Sequence, residues 1–455
     1  MIMKVFMLGW EFPPHISGGL GTACFGMTKG LDEIGVDVTF VLPNSVPVSG
    51  ASHVSLRTPS HVAPGATMVQ EHVTHVFKHV SLHQIPAVLL PYGSPASHEK
   101  AIQEMLEQQL LQIKSPSAAA ALQQLGMLSQ SSAAQARLPM LNAAGQYTGD
   151  LMAQVQQYVA LAVALARQET FDVIHAHDWM TYPAGIAVAS VTGKPLVVHV
   201  HSTEFDRSGE HVNQRVYDTE RAGMHMADAV VCVSHLTRNI AVTRYAVPPE
   251  KIDVVYNAVE MPALGDWEMK PIKGTEKIVL FLGRVTMQKG PEYFLRAAKK
   301  VVQKYTNVRF VIAGSGDMVR QCIEEVAALG IGRYVTFTGF LRGKDVDRIF
   351  NMADLYVMPS VSEPFGIAPL EALSHNVPVI ISKQSGVSEI LTHALKVDFW
   401  DTDEMANKIL AILRHPPLQR TLRQHGQIEL RKLSWKDSAQ QLKTIYERLA
   451  PSAPA

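Results

Sequence analysis

The chain has 455 residues, enough for two or more domains, and its 41 Lys+Arg balance its 41 Asp+Glu. That balance argues against nucleic acid as a partner, and 47% hydrophobic with 18% charged residues fits a folded protein with large cores, not a disordered one. The cysteines, Cys24, Cys232 and Cys322, are too scattered for a disulfide framework or a zinc pattern, and they read as core residues in a reducing compartment.

Lys4 to Leu8 is a short apolar strand. It lacks the long apolar region of a signal peptide, and no run in the chain reads as a membrane span, so a cytoplasmic protein is expected. A Pro- and Gly-rich loop, Trp10 to Gly21, leads to an amphipathic helix from Thr22 to Ile34 and a strand from Val36 to Leu42. This β-loop-α-β unit opens a doubly wound half. Short strands are expected near Val54–Leu56, Met68–His79 and Ala87–Leu90. His72, His75 and His79 lack helical metal spacing and read as strand-face residues. Residues 96–147, rich in Ala, Gln and Leu with Ser clusters, read as a helical insertion on a polar linker.

Helices at 149–168, 182–190, 215–226 and 236–245 then alternate with strands at 171–176, 195–200, 229–234 and 252–256, which implies a parallel sheet. Residues 261–276 hold prolines, glycines and mixed charge and are the best linker. The alternation restarts with strands at 277–282, 308–313, 335–338, 355–358 and 377–382. Helices at 291–304, 318–329, 345–352 and 403–414, and from Leu418 towards Leu449, complete it. The fold class is therefore α/β, with two doubly wound, Rossmann-like domains. We expect an N-terminal domain at 1–262, a C-terminal one at 275–435, and a final helix at 436–455 crossing back to the first.

Ligands of open α/β sheets bind at the carboxyl ends of strands, beside helix N-termini that favour anions. Several residues collect there. Arg284 and Lys289 flank a loop before a helix and call for an anion, because two cations oppose the dipole. Gly314-Ser315-Gly316 is a glycine turn at a strand end. Glu363 sits in a strand-to-helix loop and Glu371 just inside the helix, where two carboxylates suit sugar and ribose hydroxyls. His177, next to Asp178, and His201 lie at strand ends in the first half. Each signal also has an ordinary explanation as solvated charge, tight turn or structural histidine. Their shared order along two half-chains carries more weight than any one alone.

Glu363-Pro364-Phe365-Gly366 with Glu371 resembles the E-x7-E motif of retaining glycosyltransferases. Gly283-Arg284 with Gln288-Lys289-Gly290 is similar to their donor-phosphate loop. Glu11-Phe12-Pro13-Pro14 with Gly18-Gly19-Leu20-Gly21 resembles the glycine loop of starch and glycogen synthases, and His175-Ala176-His177-Asp178-Trp179 their HAHDW segment. The resemblance is to GT-B glycosyltransferases of the glycogen synthase type and implies two domains facing a cleft.

By that resemblance Arg284 and Lys289 neutralise a leaving nucleoside diphosphate, so no metal or other cofactor is expected. Gly18 and Gly19 offer it backbone N–H groups, and Gly314 lies against the nucleotide. Glu371 holds the ribose. Glu363 bonds the donor sugar and stabilises a cationic transition state. The amides of Phe365, Gly366 and Ile367 contact sugar or phosphate, His201 orders the reacting face, and His177 and Asp178 bind sugar hydroxyls. The implied partners are an ADP- or UDP-glucose donor and a glucan or small-sugar acceptor. Bacterial starch synthases usually show K-x-G-G-L-G-D, whereas Ser17-Gly18-Gly19-Leu20-Gly21-Thr22 lacks the Lys and the Asp, which leaves UDP-glucose open. Transfer to a lipid, small sugar or sugar phosphate, and a silent nucleotide-sugar-binding protein, are the alternatives.

Overall fold

The computed structural model describes residues 2–13, 19–43, 55–57, 79–84, 151–260 and 276–450. The expected insertion at 96–147, most of the linker at 261–276, the strands read at 68–78 and 87–90, and Gly18 lie outside the described residues.

Two parallel sheets organise the chain. The first contains β1 (Lys4–Leu8), β2 (Asp37–Leu42), β3 (Ser55–Arg57), β4 (Val80–Gln84), β5 (Val173–His177), β6 (Leu196–Val200), β7 (Ala229–Cys232) and β8 (Ile252–Val254). Their order is β3-β4-β2-β1-β5-β6-β7-β8. The second contains β9 (Lys277–Leu282), β10 (Val308–Ala313), β11 (Val335–Gly339), β12 (Leu355–Met358), β13 (Val379–Ser382) and β14 (Leu395–Val397), ordered β11-β10-β9-β12-β13-β14. Every residue of β5, β6, β7, β12 and β13 is buried, as central strands covered on both faces must be. Cys24, Cys232 and Cys322 are buried, as their contexts predict.

The strand order of each sheet reverses at its first strand. In the first, β1 lies between β2 and β5. In the second, β9 lies between β10 and β12. A crevice opens at the carboxyl edge of such a reversal because the loops on either side of it diverge. The second crevice is bordered by the loops after β9 and β12, which carry Arg284, Lys289 and Glu363.

The helices pack as their apolar periodicity demands. In the first half they are α1 (Gly19–Glu33), α2 (Leu151–Ala166), α3 (Tyr182–Thr192), α4 (Glu204–Ser208), α5 (Gln214–Met226) and α6 (His235–Tyr245). In the second they are α7 (Pro291–Val302), α8 (Val319–Ala328), α9 (Lys344–Met352), α10 (Ala368–Ser374), α11 (Val387–Ile390), α12 (Thr402–Arg414) and α13 (Pro416–Leu430). The last helix is α14 (Trp435–Leu449). In α7 the buried Phe294, Leu295, Ala298, Val301 and Val302 form one stripe. Pro291 opens that helix, and Lys299 and Lys300 complement its carboxyl end.

The stretch from Leu418 towards Leu449 is two helices. Ser434 caps the second, its side chain accepting from the Asp437 amide. That second helix, α14, packs on α1 of the first half. The indole of Trp435 lies where a side chain on Gly26 would be, and the Trp435 carbonyl lies against Gly30. Further along, the Tyr446 hydroxyl reaches 2.6 Å from Nδ1 of His175 on β5. Among the described residues, no helix is long and apolar enough to cross a membrane.

Candidate active site

The loop after β12 is held by backbone bonds to its neighbours. The Glu363 amide donates to the Gln384 carbonyl at 2.9 Å, and the Glu363 carbonyl accepts from the Gly386 amide at 2.9 Å. The Val387 amide donates to the Phe365 carbonyl at 2.7 Å. The Glu363 side chain is thereby fixed and almost fully buried. Its Oε2 accepts from the Ser360 hydroxyl at 3.1 Å and from Lys289 Nζ at 2.5 Å. Gly366 has φ +101°, and a Cβ there would lie 3.2 Å from Glu363 Cγ, so any side chain would strain the backbone and press on the glutamate.

Lys289 reaches Glu363 because its own loop is joined to the 359–363 segment. The Val361 amide donates to the Gln288 carbonyl at 2.9 Å. Gly290, at φ +62°, leaves no room for a Cβ, which would sit 2.3 Å from the Pro359 carbonyl oxygen. Arg284 is exposed and donates to Gln288 Oε1 at 3.1 Å, and among the described residues no carboxylate pairs with it. Gly314 lies one strand over, its amide donating to the Gly339 carbonyl at 2.8 Å.

Phe365 is buried against the Tyr256 ring, and Ile367 precedes α10 with its carbonyl accepting from the Glu371 amide at 3.0 Å. Glu371 is part-buried, and its carboxyl has no hydrogen-bond partner among the described residues. Burial first, and Asp347 second, push its pKa up to about 7.

The first half presents a different surface. Residues two apart on a strand share a face, so His175 and His177 of β5 meet His199 and His201, on and just beyond β6. The four imidazoles form two hydrogen-bonded rows. His175 Nε2 and His199 Nδ1 lie 3.2 Å apart, and His177 Nδ1 and His201 Nε2 lie 2.9 Å apart. The rows stack, with ring centroids 4.4 Å apart for His175 and His177 and 4.2 Å apart for His199 and His201.

Burial holds all four pKa values below the ordinary range, to about 3 for His175 and His201. At neutral pH the rings are uncharged. Ring nitrogens of His175, His177 and His199 lie within 4.8 Å of one another. Of these rings, His175 Nε2 and His199 Nδ1 already face each other in a hydrogen bond, and His177 Nδ1 bonds His201.

Asp178 follows directly. Its φ of +58° turns the carboxylate back over the end of β6, where Oδ1 accepts from the His201 amide at 2.8 Å and the Ser202 amide at 3.3 Å. Burial pushes its pKa up to about 7 against the pull of Arg207 and those amides. Arg207 of α4 bonds Glu204 at 3.2 Å, the Ser202 hydroxyl at 3.1 Å, and Glu220. The backbone around His201 is therefore clamped on both sides.

The structure brings Glu363, Lys289, Arg284, Gly314, Phe365, Gly366, Ile367 and Glu371 to one edge of the second sheet. His177, Asp178 and His201 lie at one edge of the first. His177 is enclosed behind His201, and the described oxygen contacts of Asp178 are to backbone. Gly19 starts α1 and is exposed, free to present its backbone.

The two edges touch. The Ser362 hydroxyl donates to Asp206 Oδ1 at 2.5 Å, and the Ser234 hydroxyl donates to the Pro364 carbonyl at 2.6 Å. Glu389 accepts from the amides of His235 at 2.9 Å and Leu236 at 2.8 Å, at the start of α6. Sequence reasoning did not single out Ser360, Gln288, Asp206 or Arg207. The first two stand inside segments already picked out. Asp206 and Arg207 lie in a five-residue helix too short to show periodicity.

Two facing parallel sheets of this kind, with a charged loop cluster on one edge and a histidine-rich edge opposite, define the GT-B architecture. Sucrose-phosphate synthase from Thermosynechococcus elongatus shares it, with a TM-score of 0.69 at 19% identity over 98% of this chain and 99% of that one. More particularly, residues 267–428 match Glycosyl transferases group 1, so the second half carries a domain of that group. Residues 149–261 match Glycosyltransferase Family 4, and residues 4–109 the starch synthase catalytic domain.

An uncharacterized glycosyltransferase of Methanocaldococcus jannaschii is 36% identical over 239 residues, 50% of this chain and 61% of that protein. The chain thus spans under two thirds of that relative's length. Glycogen synthase of Mycobacterium tuberculosis is 22% identical over 391 residues, 85% of this chain and 80% of the relative.

Proposed function

We propose that the chain is a retaining hexosyltransferase that moves glucose from ADP- or UDP-glucose onto an α-1,4-glucan. The observation that carries this reading is the Lys289–Glu363 pair beside Arg284, at the strand-order reversal of the second sheet. A leaving diphosphate bears negative charge as the glycosidic C–O bond breaks. Arg284 and Lys289 would receive it, with backbone amides of the Gly18-Gly19 segment, where α1 starts at Gly19, adding to the field. Gly314 and the amides of Phe365, Gly366 and Ile367 let the backbone approach the donor. Glu371 accepts from the ribose diol. Glu363 accepts from sugar hydroxyls and steadies the positive charge on the anomeric carbon. His201 orders the sugar face.

The acceptor hydroxyl attacks on the face the diphosphate leaves, and its proton passes to the departing phosphate oxygen. No divalent ion is called for in this reading, so a chelator should leave turnover unchanged. Contact of the two edges excludes water that would otherwise hydrolyse the donor.

A second reading, transfer to a small sugar or sugar phosphate, is favoured by the missing Lys and Asp around Gly18-Gly19. The test is incubation with UDP-glucose and ADP-glucose separately, each with glycogen, maltose and glucose 1-phosphate. Products are identified by mass and anomeric configuration by NMR. Elongated α-glucan supports the first reading, and a product on the small acceptor alone supports the second. Nucleotide-sugar binding without release of UDP or ADP with any acceptor overturns both.

A further inference from the structure

Proton accounting in the histidine block fixes the form of the ring nearest the cleft. A neutral imidazole has one N–H and one lone pair. His177 and His201 together hold two such protons, and the Nδ1–Nε2 contact between them uses one. The other sits at one of the two free ends. One end is His177 Nε2, fully buried with no partner. The other is His201 Nδ1, which has no partner among the described residues yet is not an enclosed atom, since His201 is part-exposed. A buried N–H without an acceptor carries its full desolvation cost, and folded proteins tolerate orphaned buried N–H groups less than under-satisfied acceptors. The proton therefore goes to the open end.

We propose that His177 is a positioning residue that donates Nδ1–H to His201 Nε2 and so locks His201 as the Nδ1–H tautomer. His201 then offers a hydrogen-bond donor, not an acceptor, to an oxygen lone pair of the bound hexose. The rigidity needed comes from the contacts around the ring. The His201 amide is clamped by Asp178. The Ser202 hydroxyl is held by Arg207. The second row, His199–His175–Tyr446, lies under the first and blocks ring rotation.

The direct test is a long-range ¹H–¹⁵N spectrum of the imidazoles in the full chain, with the His201 signals identified by their loss in His201→Asn. The expected result is protonated Nδ1 and bare Nε2 at His201. An Nε2–H tautomer, or a charged ring near neutral pH, overturns the proposal. This measurement needs no substrate, so it stands or falls apart from the transferase reading.

The kinetic half rests on that reading. His177→Asn keeps an amide N–H near the Nδ1 position, while His177→Phe fills the space without a donor. We expect His177→Phe to lose about tenfold in kcat with donor KM changed less than threefold, and His177→Asn to recover most of the loss. Equal losses in both variants, or a loss confined to KM, would refute the positioning role. If His177→Phe does not fold, the wild-type spectrum still decides.

Discussion

The two edges of the cleft handle polar groups in opposite ways. On the first sheet four imidazoles bond one another in two pairs, Asp178 bonds the adjoining backbone, and burial keeps the rings neutral. On the second sheet charge is retained. Lys289 and Glu363 are paired, and among the described residues Arg284 has no carboxylate and the Glu371 carboxyl no hydrogen-bond partner. A network bonded mostly within itself acts as scaffold, because its members lose those bonds if they move. A set of charges left partly unmatched can be completed by an incoming ligand, which is the part the proposed function gives this edge.

The sharpest way to break this contrast is Glu363→Gln, which keeps the shape and removes the charge. Turnover, read as nucleotide release with acceptor present, should fall by about 10²- to 10³-fold with the fold intact by circular dichroism. A loss under about threefold would move the chemistry elsewhere. Gly290→Ala tests how tightly this edge is built. It places a methyl against the Pro359 carbonyl at a φ that resists it, which should cost about 1–3 kcal/mol in thermal melts and weaken donor binding. An unchanged melt and KM would show that the loops yield freely.

Glu371 gives a pH signature with two opposed slopes. Its pKa is raised in the fold from 4.5 to about 7, so the folded chain holds that proton more tightly than the unfolded chain does. Stability of the ligand-free protein should decline as pH rises from 4.5 to 7 and level off above. Donor affinity should move the other way and fall as pH drops through about 7, since the ribose diol needs the ionised carboxylate. Asp178 titrates near the same pH, so the comparison is with Glu371→Gln, which leaves the Asp178 contribution in place and should lessen the stability slope and flatten the affinity curve. Parallel curves in the two proteins would remove Glu371 from the nucleotide.

The smallest effect belongs to the histidine network. Tyr446→Phe removes the bond to His175 and should cost about 1 kcal/mol, or about 2 °C in Tm, with kcat unchanged. A fall in kcat would show the two edges to be less separate than drawn.

The β/α alternation was legible because apolar runs and Gly or Pro punctuation carry it. The strand read at 277–282 is Lys277–Leu282, and the helix read at 236–245 is His235–Tyr245. Legibility failed where local pattern is weak. Helix α1 starts at Gly19, not Thr22, because its first residues are glycines that read as loop. The strand Val80–Gln84, between β3 and β2, has only two apolar residues among Ser, His and Gln, too short and polar a run to stand out. Helices α4 and α11 are too short for a period.

At the site, residue types were legible but pairings were not. Arg284 and Lys289 called for an anion, yet nothing in the spacing told that Glu363, 74 positions on from Lys289, supplies one. The block of four imidazoles depends on β5 and β6 being neighbours in register, which is a property of the sheet and not of either strand.

The return of α14 to the first half has a further consequence. The chain passes between the halves twice, before β9 and again between α13 and α14. These passages make the first half discontinuous in sequence. A cut between 260 and 276 would leave the first half without the helix that fills the groove at Gly26 and Gly30 and caps His175. The final helix is thus a keystone, and the first sheet, though complete by residue 254, is not finished until the chain nearly ends.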